Sequence, residues 1–249
     1  MTDTLYEPVD EPTTVRKFHV IYLVLDVSDT MRRTAPGEVE SPFERFQILL
    51  PDLVLSLRKR AIVRTTCWLS LISFASTATL MLPAASLREI PVMPDWPKGG
   101  QTDYVAALRL LHQRIDEDRT SITLGADGRS EPVRVADPLV FFITDGYPYV
   151  GNSEQPQATW LAARDEITSG MNGRIAAVGL QGAREDVLVA MATGDGARHN
   201  AFIADNTLPA TLLAQNIVNA IVHSVALSTA AGTMIIETPP GMRRLGGGQ

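Results

Sequence analysis

The sequence predicts an α/β fold: a doubly wound, mostly parallel central sheet with helices on both faces, a Rossmann-like three-layer sandwich. Two observations carry this expectation. The runs HVIYLVL (residues 19–25) and LVFFI (139–143) are apolar almost throughout and rich in β-branched and aromatic residues, as strands covered on both faces must be. Between and after them, apolar residues recur at helical spacing, and alternating strands and helices build parallel sheets through crossover helices. A chain of 249 residues suffices for one sizeable core of this kind.

Taken in order, residues 1–16 are acidic and offer little to bury, so they read as a flexible lead-in to a domain over residues 17–230. His19 to Leu25 forms the first strand, and Asp26 ends it. Ser41, Pro42 and Glu44 make a Ser-x-x-Glu capping box with proline at the first helical position. Phe46, Leu49, Leu50, Leu53 and Leu57 follow at helical spacing, and Pro51 is expected to kink the helix. The segment from Cys67 to Leu82 divides into two strands, CWLSLISF and TATLML, the second at an edge or antiparallel. Pro91, Pro94 and Pro97 require an extended loop. Val105, Leu108, Leu111 and Ile115 then mark a helix, and Asp127-Gly128 signals a turn, that of a small inserted hairpin. After the strand Leu139 to Ile143 the alternation continues with a helix over 158–168, a strand over 174–180, a helix over 185–192 and a short strand over 201–204. The last helix carries Leu213, Ile217, Ile221 and Val225 on one stripe, and residues 231–249 read as a flexible, glycine-rich tail.

Composition narrows the function. Hydrophobic residues make up 45% and charged residues 20%, values of an ordinary globular chain. The formal net charge of −6 argues against nucleic acid as a partner, because backbone binding depends on clustered Lys and Arg. The one cysteine, Cys67, excludes an internal disulfide and lies among apolar neighbours, which suits a buried structural role. No stretch of 18 consecutive apolar residues occurs, and the start is acidic, so no membrane association and a cytoplasmic location are expected.

In doubly wound sheets ligands sit outside the carboxyl ends of the strands. Three segments place oxygen donors there: Asp26-Val27-Ser28-Asp29-Thr30 after the first strand, Gly99-Gly100-Gln101-Thr102-Asp103 after the proline-rich loop, and Thr144-Asp145-Gly146 after the later apolar strand. Two carboxylates (Asp26, Asp145) and three hydroxyls (Ser28, Thr30, Thr102), without Cys or His, suit a hard octahedral cation such as Mg2+ or Mn2+ and disfavour zinc. The histidines His19, His112, His199 and His223 sit on separate elements with no ligand spacing, which fits structural or solvated roles. Asp29 and Asp103 either add to the negative field or serve as turn and cap residues.

In this order and spacing the segments resemble the metal-site motifs of von Willebrand factor A (VWA) domains. DVSDT resembles Asp-x-Ser-x-Ser, GGQTDYVAAL resembles Gly-Gly-Thr with Ala-Leu five residues on, and ITDGYP resembles Thr-Asp-Gly-x-Pro. The likeness runs from about Phe18 to Thr229, and within the family it is nearest to the small cytoplasmic bacterial proteins of the tellurium-resistance (TerY-like) type. It implies a metal-ion-dependent adhesion site (MIDAS), with Ser28, Thr30 and Thr102 coordinating through hydroxyls and Asp26 and Asp145 acting mainly through bound water. One position would stay open for a partner's Asp or Glu carboxylate. It further implies a scaffold in stress-response or signalling complexes, with a kinase/phosphatase module as partner. Two departures stand out: Thr30 replaces the second Ser, keeping the hydroxyl, and Gln101 stands inserted between Gly100 and Thr102, where the loop must absorb it.

Two other readings compete. A Mg2+-dependent phosphatase or phosphotransferase would also carry an aspartate after the first strand, but Ser28 stands where the haloacid-dehalogenase type has its second Asp, and the general acid/base is missing. No nucleotide-binding glycine motif follows any strand. The chain therefore reads as no enzyme. The remaining alternative is a VWA scaffold whose metal site is empty. The loops 32–39 and 147–157, with Tyr147, Pro148, Tyr149 and Gly151, flank the site and suit either a contact rim or plain loop packing.

Overall fold

A computed structural model describes residues 15–90, 95–125, 133–180, 182–194, 199–204 and 208–246. The lead-in up to residue 14, Pro91, Pro94, the Asp127-Gly128 turn and residues 247–249 lie outside them. The central sheet has strand order β10-β9-β8-β5-β1-β2-β3, with β4 added beside the start of β1. These are β1 (Arg16–Asp26), β2 (Cys67–Phe74), β3 (Ala78–Ser86), β4 (Val133–Val135), β5 (Leu139–Thr144), β8 (Arg174–Gly179), β9 (Ala201–Ala204) and β10 (Met242–Leu245). Strand β1 pairs in parallel with β2, β4 and β5, and β5–β8 and β8–β9 are parallel too. Only the outer strands β3 and β10 run antiparallel.

Side chains of β1 alternate between two cores, as strand pleating requires. Ile21, Leu23 and Leu25 face the layer of α1 (Pro42–Arg58), α2 (Ala61–Thr66) and α6 (Ala210–Ala231). Val20, Tyr22 and Val24 face α3 (Tyr104–Leu124), α4 (Gln157–Thr168) and α5 (Glu185–Met191). That two-sided burial is the physical reason HVIYLVL shows no polar alternation. Helix α1 begins as expected: Ser41 Oγ accepts from the Glu44 N–H at 3.2 Å, and Glu44 Oε2 accepts from the Ser41 N–H at 2.7 Å. The helix continues through Pro51, whose side lies exposed. Helix α6 closes on Gly232 in the left-handed region, φ 69°. Among the described residues it is the one helix long and apolar enough to cross a membrane, and its Leu213, Ile217, Ile221 and Val225 are buried in the core.

The structure corrects the tail. Met242–Leu245 adds an edge strand to β9, anchored by Arg244, which lies over the Phe202 ring at 4.7 Å and donates to His199 O at 3.0 Å. The short α2, β4 and the hairpin β6 (Tyr149–Val150)/β7 (Ser153–Glu154) are also absent from the sequence reading. The hairpin turns on Gly151 and Asn152, at φ 63° and 64°, the positive pair that a two-residue type I′ turn needs.

Candidate metal centre

From β1 the chain goes one way to β2 and, later, the other way to β5, so the order of the sheet reverses between β1 and β5. Crevices at such switch points are where open α/β sheets bind ligands. Asp26 ends β1 and Thr144 ends β5, with Asp145 next in the chain.

Asp26 is fully buried and shapes its own loop: its Oδ1 accepts from the Ser28 N–H at 2.8 Å, a turn that aims the Ser28 hydroxyl toward the crevice. Ser28 Oγ lies 3.0 Å from Thr30 Oγ1, and Thr30 Oγ1 donates to Asp145 Oδ1 at 2.8 Å. On the other side Thr144 Oγ1 donates to Asp26 Oδ2 at 2.6 Å. Four of the five expected residues thus form one hydrogen-bonded string. Thr102, also buried, is held by paired backbone bonds to Tyr149 at 3.0 and 2.9 Å. A methyl group at Gly146 would stand 3.6 Å from Thr102 Oγ1 and 4.0 Å from Asp26 Oδ2. Gly146 therefore keeps open the space into which both oxygens face, bringing the fifth residue to the same site.

The loop absorbs Gln101 as expected. Its N–H donates to Ser76 Oγ at 2.9 Å, and its side-chain oxygen accepts from the Gly151 N–H at 2.8 Å, tying the inserted residue to the β6/β7 hairpin. Asp103 is the N-cap of α3, accepting from the Ala106 N–H at 2.8 Å and from Gln155 at 2.7 Å, so it belongs to the helix start. Asp29 is exposed and lines the cleft. Two supporting roles were not assigned from the sequence. Thr144 orients Asp26, and Tyr104, fully buried, donates to Thr144 Oγ1 at 3.3 Å and Gly146 O at 3.2 Å. The signal for Thr144 was its place beside Asp145; for Tyr104, deep in the α3 core, there was none.

Two carboxylates meet at this site without a counter-charge: among the described residues neither Asp26 nor Asp145 has an ion-pair partner. Burial pushes the Asp26 carboxyl up to about 6, against the hydrogen bonds of Ser28 and Thr144 that favour its charged form. Asp145 is pushed up to about 7, by burial first and then by the Asp26 charge, while Thr30 and Arg33 pull it down. Among the described residues no three His, Cys, Asp or Glu side chains gather into a metal cluster, so the donor set here is two carboxylates with three hydroxyls. Such oxygen donors around a glycine-sized gap fit Mg2+ or Mn2+ and do not fit zinc. Above the site opens a cleft of about 320 Å3 lined by Arg33, Ser76, Gln101, Tyr147 and Tyr149 among others. Tyr147 and Tyr149 pack edge to face, 6.1 Å between centroids.

No family model and no curated relative matches the sequence. Solved structures do match in fold. A von Willebrand factor type A protein from Catenulispora acidiphila aligns at 13% identity and TM-score 0.50, over 84% of this chain and 43% of that one. Proximal thread matrix protein 1 from the mussel byssus gives 16% and 0.52, over 85% and 47%. The open conformation of the pilus adhesin SpaC from Lactobacillus rhamnosus GG gives 11% and 0.56, over 83% and 30%. The chain spans less than half the length of each. The fold is accordingly that of a VWA-type domain, an eight-stranded mixed, mostly parallel sheet between helical layers.

Proposed function

We propose that this VWA-type domain is a metal-dependent protein-interaction module rather than an enzyme. The observation that carries the reading is the gathering of Asp26, Ser28, Thr30, Thr102 and Asp145 from three loops at the sheet's switch point, beneath an open cleft. Ser28, Thr30 and Thr102 would hold Mg2+ or Mn2+ through their hydroxyls, and Asp26 and Asp145 would orient its waters. A bound dication would supply a Lewis-acidic position for an Asp or Glu carboxylate of a protein partner. The rest is the work of the chain itself. Thr144 and Tyr104 fix Asp26, Thr30 fixes Asp145, and Gly146 keeps the gap clear. Arg33, Tyr147 and Tyr149 form the rim against which the partner's backbone and neighbouring side chains would rest.

The likeness of DVSDT and ITDGYP to the tellurium-resistance type supports placing the domain in a cytoplasmic bacterial stress-response or signalling complex, with a kinase or phosphatase module as partner. The adhesin among its structural neighbours supports binding as the domain's work more generally. The test is affinity capture of partners in Mg2+, in EDTA and with Asp145→Ala: capture that depends on Mg2+ and is lost in the variant supports the proposal. A partner retained equally in all three arms would leave the domain as a scaffold with an empty metal site.

A further inference from the structure

At the opposite end of β1 the sheet forms a second polar site. Lys17 and His19 on β1, Arg134 on β4 and Arg174 at the start of β8 line a cleft of about 80 Å3 together with residues that follow α6, including Thr233. Strand register explains the convergence: Lys17 stands opposite Arg134, and Ile21–Leu139–Arg174 are successive neighbours across three strands, so these side chains share the α1/α6 face. All three cations are solvent-exposed. Like charges directly opposite one another on paired strands repel, and among the described residues Lys17, Arg134 and Arg174 form no ion pair. Lys17 has only a 3.4 Å bond to Gly232 O. His19 is 6% exposed, lines the cleft, and has no hydrogen-bond partner among the described residues. Its ring nitrogens reach the solvent of the cleft, where a ligand oxygen can take the place of water. One carboxylate, Asp137, also lines the cleft and opposes an anion there.

We propose that this cleft binds a phosphate group, with Lys17, Arg134 and Arg174 neutralising it and His19 donating to one of its oxygens. The cleft admits a compact ligand, and three cations approaching from three strands match a tetrahedral dianion better than a planar monoanion, which would leave net positive charge. The reading is independent of the metal centre, which lies roughly 25 Å away along β1 at about 3.3 Å per residue. The group could arrive as free phosphate or on a phosphorylated side chain, and the test separates the two.

The experiment follows the imidazole resonances of His19 by NMR in EDTA, titrating inorganic phosphate or O-phosphothreonine at ionic strength held constant with chloride. Saturable movement of His19 at roughly millimolar ligand, with His112 and His223 still, is the expected result. The exposed substitution Arg174→Gln should weaken binding about tenfold without unfolding the chain, and Asp137→Asn should tighten it. Binding of inorganic phosphate alone would assign the site to free phosphate; binding of both ligands, or of phosphothreonine alone, would admit the modified side chain. A His19 signal unmoved by either ligand, movement matched by chloride, or unchanged affinity in Arg174→Gln would overturn the proposal.

Discussion

Replacing Asp26 by Asn should stabilise the metal-free protein at neutral pH. Asp26 is fully buried without an ion-pair partner among the described residues, and burial raises its carboxyl from 3.8 to about 6. A raised carboxyl contributes stability that is fully present below its unfolded value and is lost as pH rises through the folded one. Between acid and pH 7.5 that loss is roughly 3 kcal/mol, at about 1.4 kcal/mol per tenfold change in proton affinity. Asparagine has no charge to bury. Its oxygen still accepts from the Ser28 N–H, but its amide would face the Thr144 hydroxyl that now donates to Asp26 Oδ2, a loss of about 1 kcal/mol. The net expectation in EDTA is a gain of about 2 kcal/mol at pH 7.5 that shrinks toward zero or reverses near pH 4.5. Urea unfolding at both pH values reads it as a shift of midpoint at constant slope. Mg2+ at about 100 times its Kd should restore roughly 2.7 kcal/mol to the wild type and nothing to the variant. Equal destabilisation by Asp26→Asn at both pH values in EDTA would refute the reasoning, because the buried charge would then carry no cost.

Three further expectations test other parts of the account. Gly146→Ala places a methyl group at ordinary contact distances from Thr102 and Asp26, so the fold should survive, by circular dichroism and melting, while Mn2+ binding falls at least tenfold; full retention of affinity would show that the gap is not the ion's place. Ser41→Ala removes the hydroxyl that accepts from the Glu44 N–H, leaving the backbone half of the α1 capping box, and should cost about 1 kcal/mol in urea unfolding, with metal binding unchanged. Purified protein with Mg2+ should not hydrolyse p-nitrophenyl phosphate; turnover that disappears in Asp26→Asn would instead favour the phosphatase reading.

What the sequence made legible follows from how strongly each element is constrained. Strands β1 and β5 must be apolar on both faces, so HVIYLVL and LVFFI stand out, and the capping box marks the start of α1 to the residue. The site was visible as three polar breaks at strand ends, where a fold of this class puts its ligands. Elements fixed mainly by tertiary contacts were not legible. Strand β10 owes its pairing to Arg244 stacking on Phe202 and to burial of Met242 and Leu245 on opposite faces, yet its sequence, MRRL before glycines, carries no period. Strand β4 is three residues beside the start of β1, and α2 has no side-chain cap and one buried residue, Val63. Within the site, the roles of Thr144 and Tyr104 were not legible because they are contacts made across the sheet, 118 and 40 residues from their partners in sequence.

The central claim, that the five oxygen-bearing residues at the switch point hold a divalent cation, is tested most directly by isothermal calorimetry of Mg2+ and Mn2+ into the metal-free chain, beside Asp145→Ala. The account predicts saturable binding of a single ion to the wild type. It also predicts affinity weakened roughly 10- to 100-fold when the carboxylate that accepts from Thr30 is removed. A wild type that binds neither ion, or an Asp145→Ala variant that binds as tightly as the wild type, would contradict it.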